Sequence, residues 1–234
     1  MAVILNIDTS TSKSSVSLAI DGNIIENRES LFVKEHSSKI NVFIKEVIDS
    51  SKIEFKNIDA IAISKGPGSY TGLRIGVSTA KGLCYSQNIP LIAINSLKIM
   101  ANGIINSNKI EENSLLCPMI DARRMEVYTA LFNNKLNYVS NTNAEILTNE
   151  SFSNHLKTSK IYFFGDGSDK FKDIIENENA IFIKDIFPSA NDMVNLSLEK
   201  FKRKEFEDVA YFEPYYLKDF VATTQTKGTI NKNI

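Results

Sequence analysis

Ile61-Ala-Ile-Ser-Lys-Gly-Pro-Gly-Ser-Tyr-Thr-Gly-Leu-Arg-Ile-Gly76 reads as an apolar strand, a glycine-proline-glycine corner, and a helix whose first turns carry glycines. A short apolar run bounded by turn residues is a buried strand, and Gly66, Pro67 and Gly68 supply the boundary. Strand, tight corner and helix in that order build a parallel pair covered by helices. The corner is not a Walker loop, because Gly72 is followed by Leu73 and Arg74 rather than by Lys and a hydroxyl residue. Nor is it G-x-G-x-x-G, since Thr71 fills the last glycine position. Downstream, Gly72, Gly76 and Thr79 with Ala80 recur at steps of three and four, leaving one helix face almost bare. Glycine costs ~1 kcal/mol in a helix interior, so a compensating close approach is required. Three remain open: packing inside the domain, packing across an interface with another protein, and anion binding at the helix N-terminus.

Working outward, residues 3–7 form an apolar run that ends in Asp8-Thr-Ser-Thr11, followed by an alternating strand at 15–20 and a turn at Asp21-Gly22-Asn23. A third strand is expected near 24–31. Ile40, Phe43, Ile44, Val47 and Ile48 then fall on one face of an amphipathic helix, capped by Ser37 or Ser38. A strand at 58–64, a helix at 70–85, a strand at 89–94 and a helix carrying Leu97, Met100, Ala101 and Ile104, capped by Ser96, complete the first half. The second half repeats the order. An apolar strand ends at Asp121, an alternating strand covers 126–132, a third strand lies near 135–139, and a short helix spans 151–156. Ile161-Tyr-Phe-Phe164 reaches Gly165-Asp-Gly-Ser168, an echo of Gly66-Pro-Gly-Ser69, before a helix, a strand at 180–183 and a helix at 191–203. The expected fold is α/β: two tandem ribonuclease-H-like units with mixed sheets covered by helices, the architecture of actin, Hsp70 and sugar kinases. The units are placed at 1–106 and 107–207, with the boundary in the polar stretch 106–113. A C-terminal segment at 208–234 is expected to pack back on the first unit and to fray beyond 221.

Composition narrows the chemistry. Among 234 residues, 27 basic and 28 acidic side chains leave a net charge of −1, so the chain has no overall attraction to nucleic acid. Cys84 and Cys117 are too few for a thiolate zinc site and suit a reducing, cytoplasmic setting. No apolar run approaches the ~20 residues of a membrane span, and the start of the chain lacks a basic leader. His36 and His155 lie in opposite halves and outside any metal-binding spacing. Asp8, Thr9, Ser10 and Thr11 at a strand end are candidates for nucleotide contact, or simply an Asx-type turn. Asp121-Ala-Arg-Arg lacks hydroxyls and offers no second phosphate loop. Tyr211, Phe212, Tyr215 and Tyr216 form an aromatic cluster suited to core packing, with base stacking as the alternative.

Ile4-Leu-Asn-Ile-Asp-Thr-Ser-Thr11, the 66–76 segment and Pro214-Tyr-Tyr-Leu-Lys218 together resemble the TsaB (YeaZ) family, bacterial tRNA threonylcarbamoyladenosine biosynthesis proteins. His36-Ser37 before the amphipathic helix and Asp121-Ala-Arg-Arg before an alternating strand also fit. The resemblance implies a non-catalytic subunit, paralogous to the transferase TsaD, that supports threonylcarbamoylation of the adenosine beside the anticodon in tRNAs reading codons that begin with A. It implies complex formation with a TsaD-like catalytic paralogue and a TsaE-like ATPase, a homodimer when alone, and indirect contact with tRNA. No catalytic residue, metal or obligatory cofactor is carried over, and weak ATP or ADP binding is left open. The implied partner surface uses two helices, through His36, Ile40, Phe43, Ile44 and Val47 on the first and Ser69, Tyr70, Thr71, Gly72, Arg74, Ile75, Gly76 and Thr79 on the second. The alternative function is an ATP-dependent small-molecule kinase of the same fold class, which would use the Asp8 turn.

Overall fold

The computed structural model describes residues 1–30, 36–107 and 110–218, with backbone only at 36–38. The first half runs β1 (Val3–Asp8), β2 (Ser15–Ile20), β3 (Asn23–Glu29), α1 (His36–Ser51), β4 (Ala60–Gly66), α2 (Tyr70–Gln87), β5 (Leu91–Asn95) and α3 (Ser96–Asn106). The second runs β6 (Leu115–Asp121), β7 (Glu126–Asn133), β8 (Tyr138–Ile146), α4 (Ser153–Leu156), β9 (Ile161–Phe164), α5 (Asp169–Lys172), β10 (Ala180–Ile183) and α6 (Ala190–Arg203). The first sheet has the order β3-β2-β1-β4-β5 and the second β8-β7-β6-β9-β10, which is the same topology twice. In both, the opening hairpins are antiparallel and the later strands join in parallel. The duplication read from two aspartate-ended strands and two glycine corners is therefore present in the strand order.

Each sheet is covered on both faces. On the outer face of the first, Ile40, Ile44 and Val47 of α1 and Val77, Ala80 and Cys84 of α2 pack with Leu5, Ile7, Leu18, Ile61 and Ile63. On its inner face, Ala190 and Met193 of α6 meet Ile4, Ala62, Ile92 and Ile94. Leu97, Met100 and Ile104 of α3 pack on Leu116, Ile120, Phe132 and Phe164 of the second sheet, whose outer face carries the single-turn helices α4 and α5. The closing helices are thus shared: α3 packs on the second sheet while its Ile99 also meets the first, and α6 returns to the first. A sequential cut at 106 and 207 crosses this packing, because the helix that follows the second sheet in the chain completes the first. The two helices meet directly, Asn102 Nδ2 donating to the Asp192 carbonyl at 2.8 Å.

Several expected boundaries shift. α1 begins at His36, ahead of the serines read as its caps. α3 is capped by Asn95, whose Oδ1 accepts from Leu97 N and Lys98 N, and not by Ser96. β8 runs from 138 to 146 rather than ending at 139, since its outward residues are polar and carry no apolar alternation. The C-terminal tail beyond 218 and the expected end of the third strand at Leu31 lie outside the described residues. Among the described residues, no helix is long and apolar enough to cross a membrane.

Candidate functional site

The glycine corner and the Asp8 turn are one structure. Ser69 caps α2, its Oγ accepting from Gly72 N at 3.3 Å, and its own N–H donates to the Ser10 carbonyl at 2.7 Å. A Cβ on Gly68 would overlap the Ser10 carbonyl oxygen, on Gly72 the Thr9 carbonyl oxygen, and on Gly76 the Thr9 hydroxyl, with Ile63 Cδ1 at 3.0 Å. Thr9 Oγ1 donates to the Gly72 carbonyl at 2.8 Å. The bare face of α2 therefore seats the β1–β2 turn of its own unit. Of the three compensations for helix glycine, packing inside the domain is the one found, so Gly72 and Gly76 are removed from the partner face. The second unit repeats the device, because a Cβ on Gly167 would crowd Val127 and the backbone at Ile120 and Asp121.

The four candidates for nucleotide contact are buried, none more than 4% exposed. Asp8 Oδ1 accepts from Ser10 N at 3.4 Å, the Asx-turn bond, and from Ser10 Oγ at 2.8 Å, while Asp8 Oδ2 and Thr11 Oγ1 have no partner. Burial pushes the Asp8 carboxyl from its ordinary 3.8 to about 6, against the lowering effect of the neighbouring serine hydroxyls. Beside this turn a cleft of about 540 Å³ opens between the two sheets. One wall is Ser10, Thr11 and Gly68–Thr71; the other is Asp121, Arg123, Tyr128 and Asp166. Asp166 Oδ1 accepts from Asp121 N at 2.9 Å, and burial raises its pKa. Lys170 pairs with Asp121 and donates to the Arg124 and Glu126 carbonyls at 2.8 Å, so this lysine holds the turn instead of facing the cleft. The far wall sets two carboxylates beside Arg123, and on the near wall the Thr9 and Ser10 hydroxyls are spent in hydrogen bonds, an arrangement that suits a phosphate poorly. Lys218 closes the cleft through an ion pair with Glu126.

No group of three His, Cys, Asp or Glu among the described residues is placed to hold a metal ion. His36 opens α1, with its side chain outside the described set, and His155 lies on α4 in the other unit. Cys84 and Cys117 are buried thiols pushed up to about 12 by desolvation, which leaves neither as a nucleophile at neutral pH.

The two helices named as a partner surface divide by face. Ile40, Ile44 and Val47 are buried in the chain's own core and are removed from that surface, because their i, i+4, i+7 spacing marks the inward stripe. Phe43 and Ile75 lie half-buried against the same core. Ser69, Thr71 and Arg74 are exposed, Tyr70 and Thr79 partly so. Arg74 stacks over the Tyr70 ring at 4.4 Å, and Tyr70 packs on Tyr216 at 4.9 Å. The outward stripe of α2 is Thr71, Arg74, Ser78, Gly82 and Tyr85. Tyr85 is 84% exposed, and a Cβ on Gly82 would meet nothing within 4 Å. On α1, Val42 is 48% exposed beside Asn41, Lys45, Glu46 and Asp49. Val42, Gly82 and Tyr85 are not among the residues read from the sequence, although their spacing opposite the core stripe marks them as outward.

Fold and site together define a duplicated ribonuclease-H-like protein whose glycine corner is spent on its own first turn. The sequence model of the family described as TsaD, tRNA N6-adenosine threonylcarbamoyltransferase, matches residues 23–226. The chain is 29% identical over 232 residues to the tRNA threonylcarbamoyladenosine biosynthesis protein TsaB of Escherichia coli K12, covering 96% of this chain and 98% of that one. It is 30% identical over 199 residues to TsaB of Buchnera aphidicola from Schizaphis graminum, covering 82% and 91%. The structure of YeaZ from Pseudomonas aeruginosa superposes with a TM-score of 0.79 at 22% identity, over 93% of this chain and all of the other. Within the family that this model describes, the chain belongs to the TsaB (YeaZ) proteins.

Proposed function

We propose that this protein is a non-catalytic subunit in the threonylcarbamoylation of tRNA adenosine, acting in the cytoplasm by binding a TsaD-like catalytic paralogue. The observation that carries the reading is near-full-length similarity to proteins named for threonylcarbamoyladenosine biosynthesis. The site supports it in a second way: the Thr9 and Ser10 hydroxyls, at the strand end that a kinase of this architecture would turn to phosphate, are buried in structural hydrogen bonds here. A TsaE-like ATPase joins the complex, and without partners the chain pairs with itself through the same surface, with no cofactor of its own.

The docking face is the outward stripe of α1 and α2. Gly82 exposes backbone in mid-helix with no internal contact to compensate, and the largely exposed Tyr85 lies one turn away. Aromatic anchors beside small residues suit a helix-packed interface. Gly82→Arg should leave the melting temperature unchanged or slightly higher, because glycine is the poorer helix former. It should abolish co-purification with the catalytic paralogue and reduce modified tRNA in a reconstituted reaction. Full complex formation by this variant would remove the surface from the proposal. Transfer by the isolated chain without any paralogue would overturn the non-catalytic reading.

A further inference from the structure

A second cleft lies away from the Asp8 turn, at the carboxyl ends of β4 and β5, where ligands of open α/β sheets commonly sit. Its volume is about 510 Å³, within the range of small-molecule sites. Three lysines reach it from three elements: Lys65 near the end of β4, Lys98 in the first turn of α3, and Lys200 in the last turn of α6. No carboxylate lines it among the described residues. Lys200 has a distant pairing with Glu205 at 3.7 Å, and none of the described ion pairs involves Lys65 or Lys98. Tyr138 and Tyr215 border the same space. The Tyr138 ring is backed by the buried Phe132 ring at 4.6 Å, and Tyr215 is fixed by its N–H donating to the Lys65 carbonyl at 2.7 Å. The two sheets are held together at the cleft by Asn95 Nδ2 donating to Thr142 Oγ1 at 3.1 Å.

Lysines with no carboxylate lining the cleft, beside two tyrosines, call for a ligand that is both anionic and planar. Phosphate satisfies the lysines as point charges, and a base satisfies the rings. The space is right for one such unit rather than for an extended strand. We propose that this cleft binds a single nucleotide, with its phosphate among Lys65, Lys98 and Lys200 and its base against Tyr138 and Tyr215. The nucleotide is either free or part of a single-stranded RNA. The site goes beyond the partner-binding role and does not depend on it.

The test is calorimetric titration of the full chain at low salt with each of the four ribonucleoside 5′-monophosphates, inorganic phosphate and a short single-stranded RNA. Saturable binding is expected for a monophosphate, for the RNA, or for both, and comparing these arms identifies the source. Lys98→Ala and Lys65→Ala should each weaken it about tenfold, the loss of a charge-assisted hydrogen bond. Tyr138→Ala should weaken the nucleotides without affecting inorganic phosphate. Each variant is checked by its melting curve, and the three substitutions lie at partly exposed positions. Several outcomes overturn the proposal: no saturable binding, inorganic phosphate binding as tightly as any nucleotide, or affinity indifferent to both lysines. Loss of binding in Arg123→Ala alone would assign the ligand to the other cleft and also overturn it.

Discussion

Asp8 is a carboxyl group held by the fold against its own chemistry. It is 0% exposed, one oxygen has no partner, and burial lifts its pKa from 3.8 to about 6. That shift of roughly two units corresponds to about 3 kcal/mol favouring the neutral form. The native state therefore holds the proton between pH 4 and 6 while the unfolded chain has lost it. This stabilisation is complete below about pH 4 and is lost as pH rises through 6. Asp192, desolvated against α3 and close to the like charge of Glu29, is raised to about 6 and acts in the same window and direction. Denaturant titrations of Asp8→Asn from pH 4 to 8 should show about half the wild-type loss of stability across that range. An unchanged slope would mean that Asp8 is solvated in the native state. Gly76 makes the opposite kind of demand, for absence of a side chain. Gly76→Ala should lower stability by roughly 2–3 kcal/mol, because the methyl group overlaps the Thr9 hydroxyl in a packed interior. Adding Thr9→Ala should return part of that loss. Simple additivity in the double-mutant cycle would sink the proposed contact.

At the scale of the element, α2 explains what the sequence disclosed and what it concealed. Its strand-corner-helix order was legible because Gly66, Pro67 and Gly68 are local signals. The destination of its glycine face was not, because glycine spacing reports a close approach without naming what approaches. Only the fold brings Thr9 and Ser10 to that face, across some sixty residues of chain. Periodicity likewise found Ile40, Ile44 and Val47, but a periodic apolar stripe identifies the inward face and says nothing of the outward one. The second cleft was invisible for a similar reason, since Lys65, Lys98, Lys200 and Tyr138 share no motif. The C-terminal segment is another element whose place depends on long-range contacts. Lys81 Nζ donates to the Ala210 carbonyl at 3.1 Å and to the Phe212 carbonyl at 2.8 Å, and Phe212 packs on the first core. Lys81→Met keeps the aliphatic stem and removes both bonds, so limited proteolysis should cut within 208–218 several times faster at an unchanged melting temperature. Equal cleavage rates would mean that Phe212 and the Tyr216–Tyr70 contact hold the segment unaided.

For the whole molecule, the exchange of α3 and α6 makes two similar units into one body. The inner face of the first sheet offers Ile4, Ala62, Ile92 and Ile94, and the helix that covers them arrives almost a hundred residues later. A chain ending at residue 106 would keep only Ile99 of α3 on that face and leave the rest in water, together with the face of α3 that packs on Leu116, Phe132 and Phe164. Burial of a large apolar side chain stabilises by ~1.5–3 kcal/mol, and a domain's net stability is only ~5–15 kcal/mol, so losing several such contacts is decisive. Residues 1–106 alone should therefore form an aggregating or molten species, with helical circular dichroism and dye binding but no cooperative thermal transition. The complementary fragment 107–234 should behave likewise, since its sheet lacks α3. Mixed together they should recover one cooperative transition, because each supplies the other's missing helix. Cooperative unfolding of the first fragment on its own would mean that the β-sheet and its outer helices suffice, and that the exchange joins two units already stable apart. Recovery on mixing but not alone would establish that the duplicated halves fold as a single unit, bound by the helices they trade.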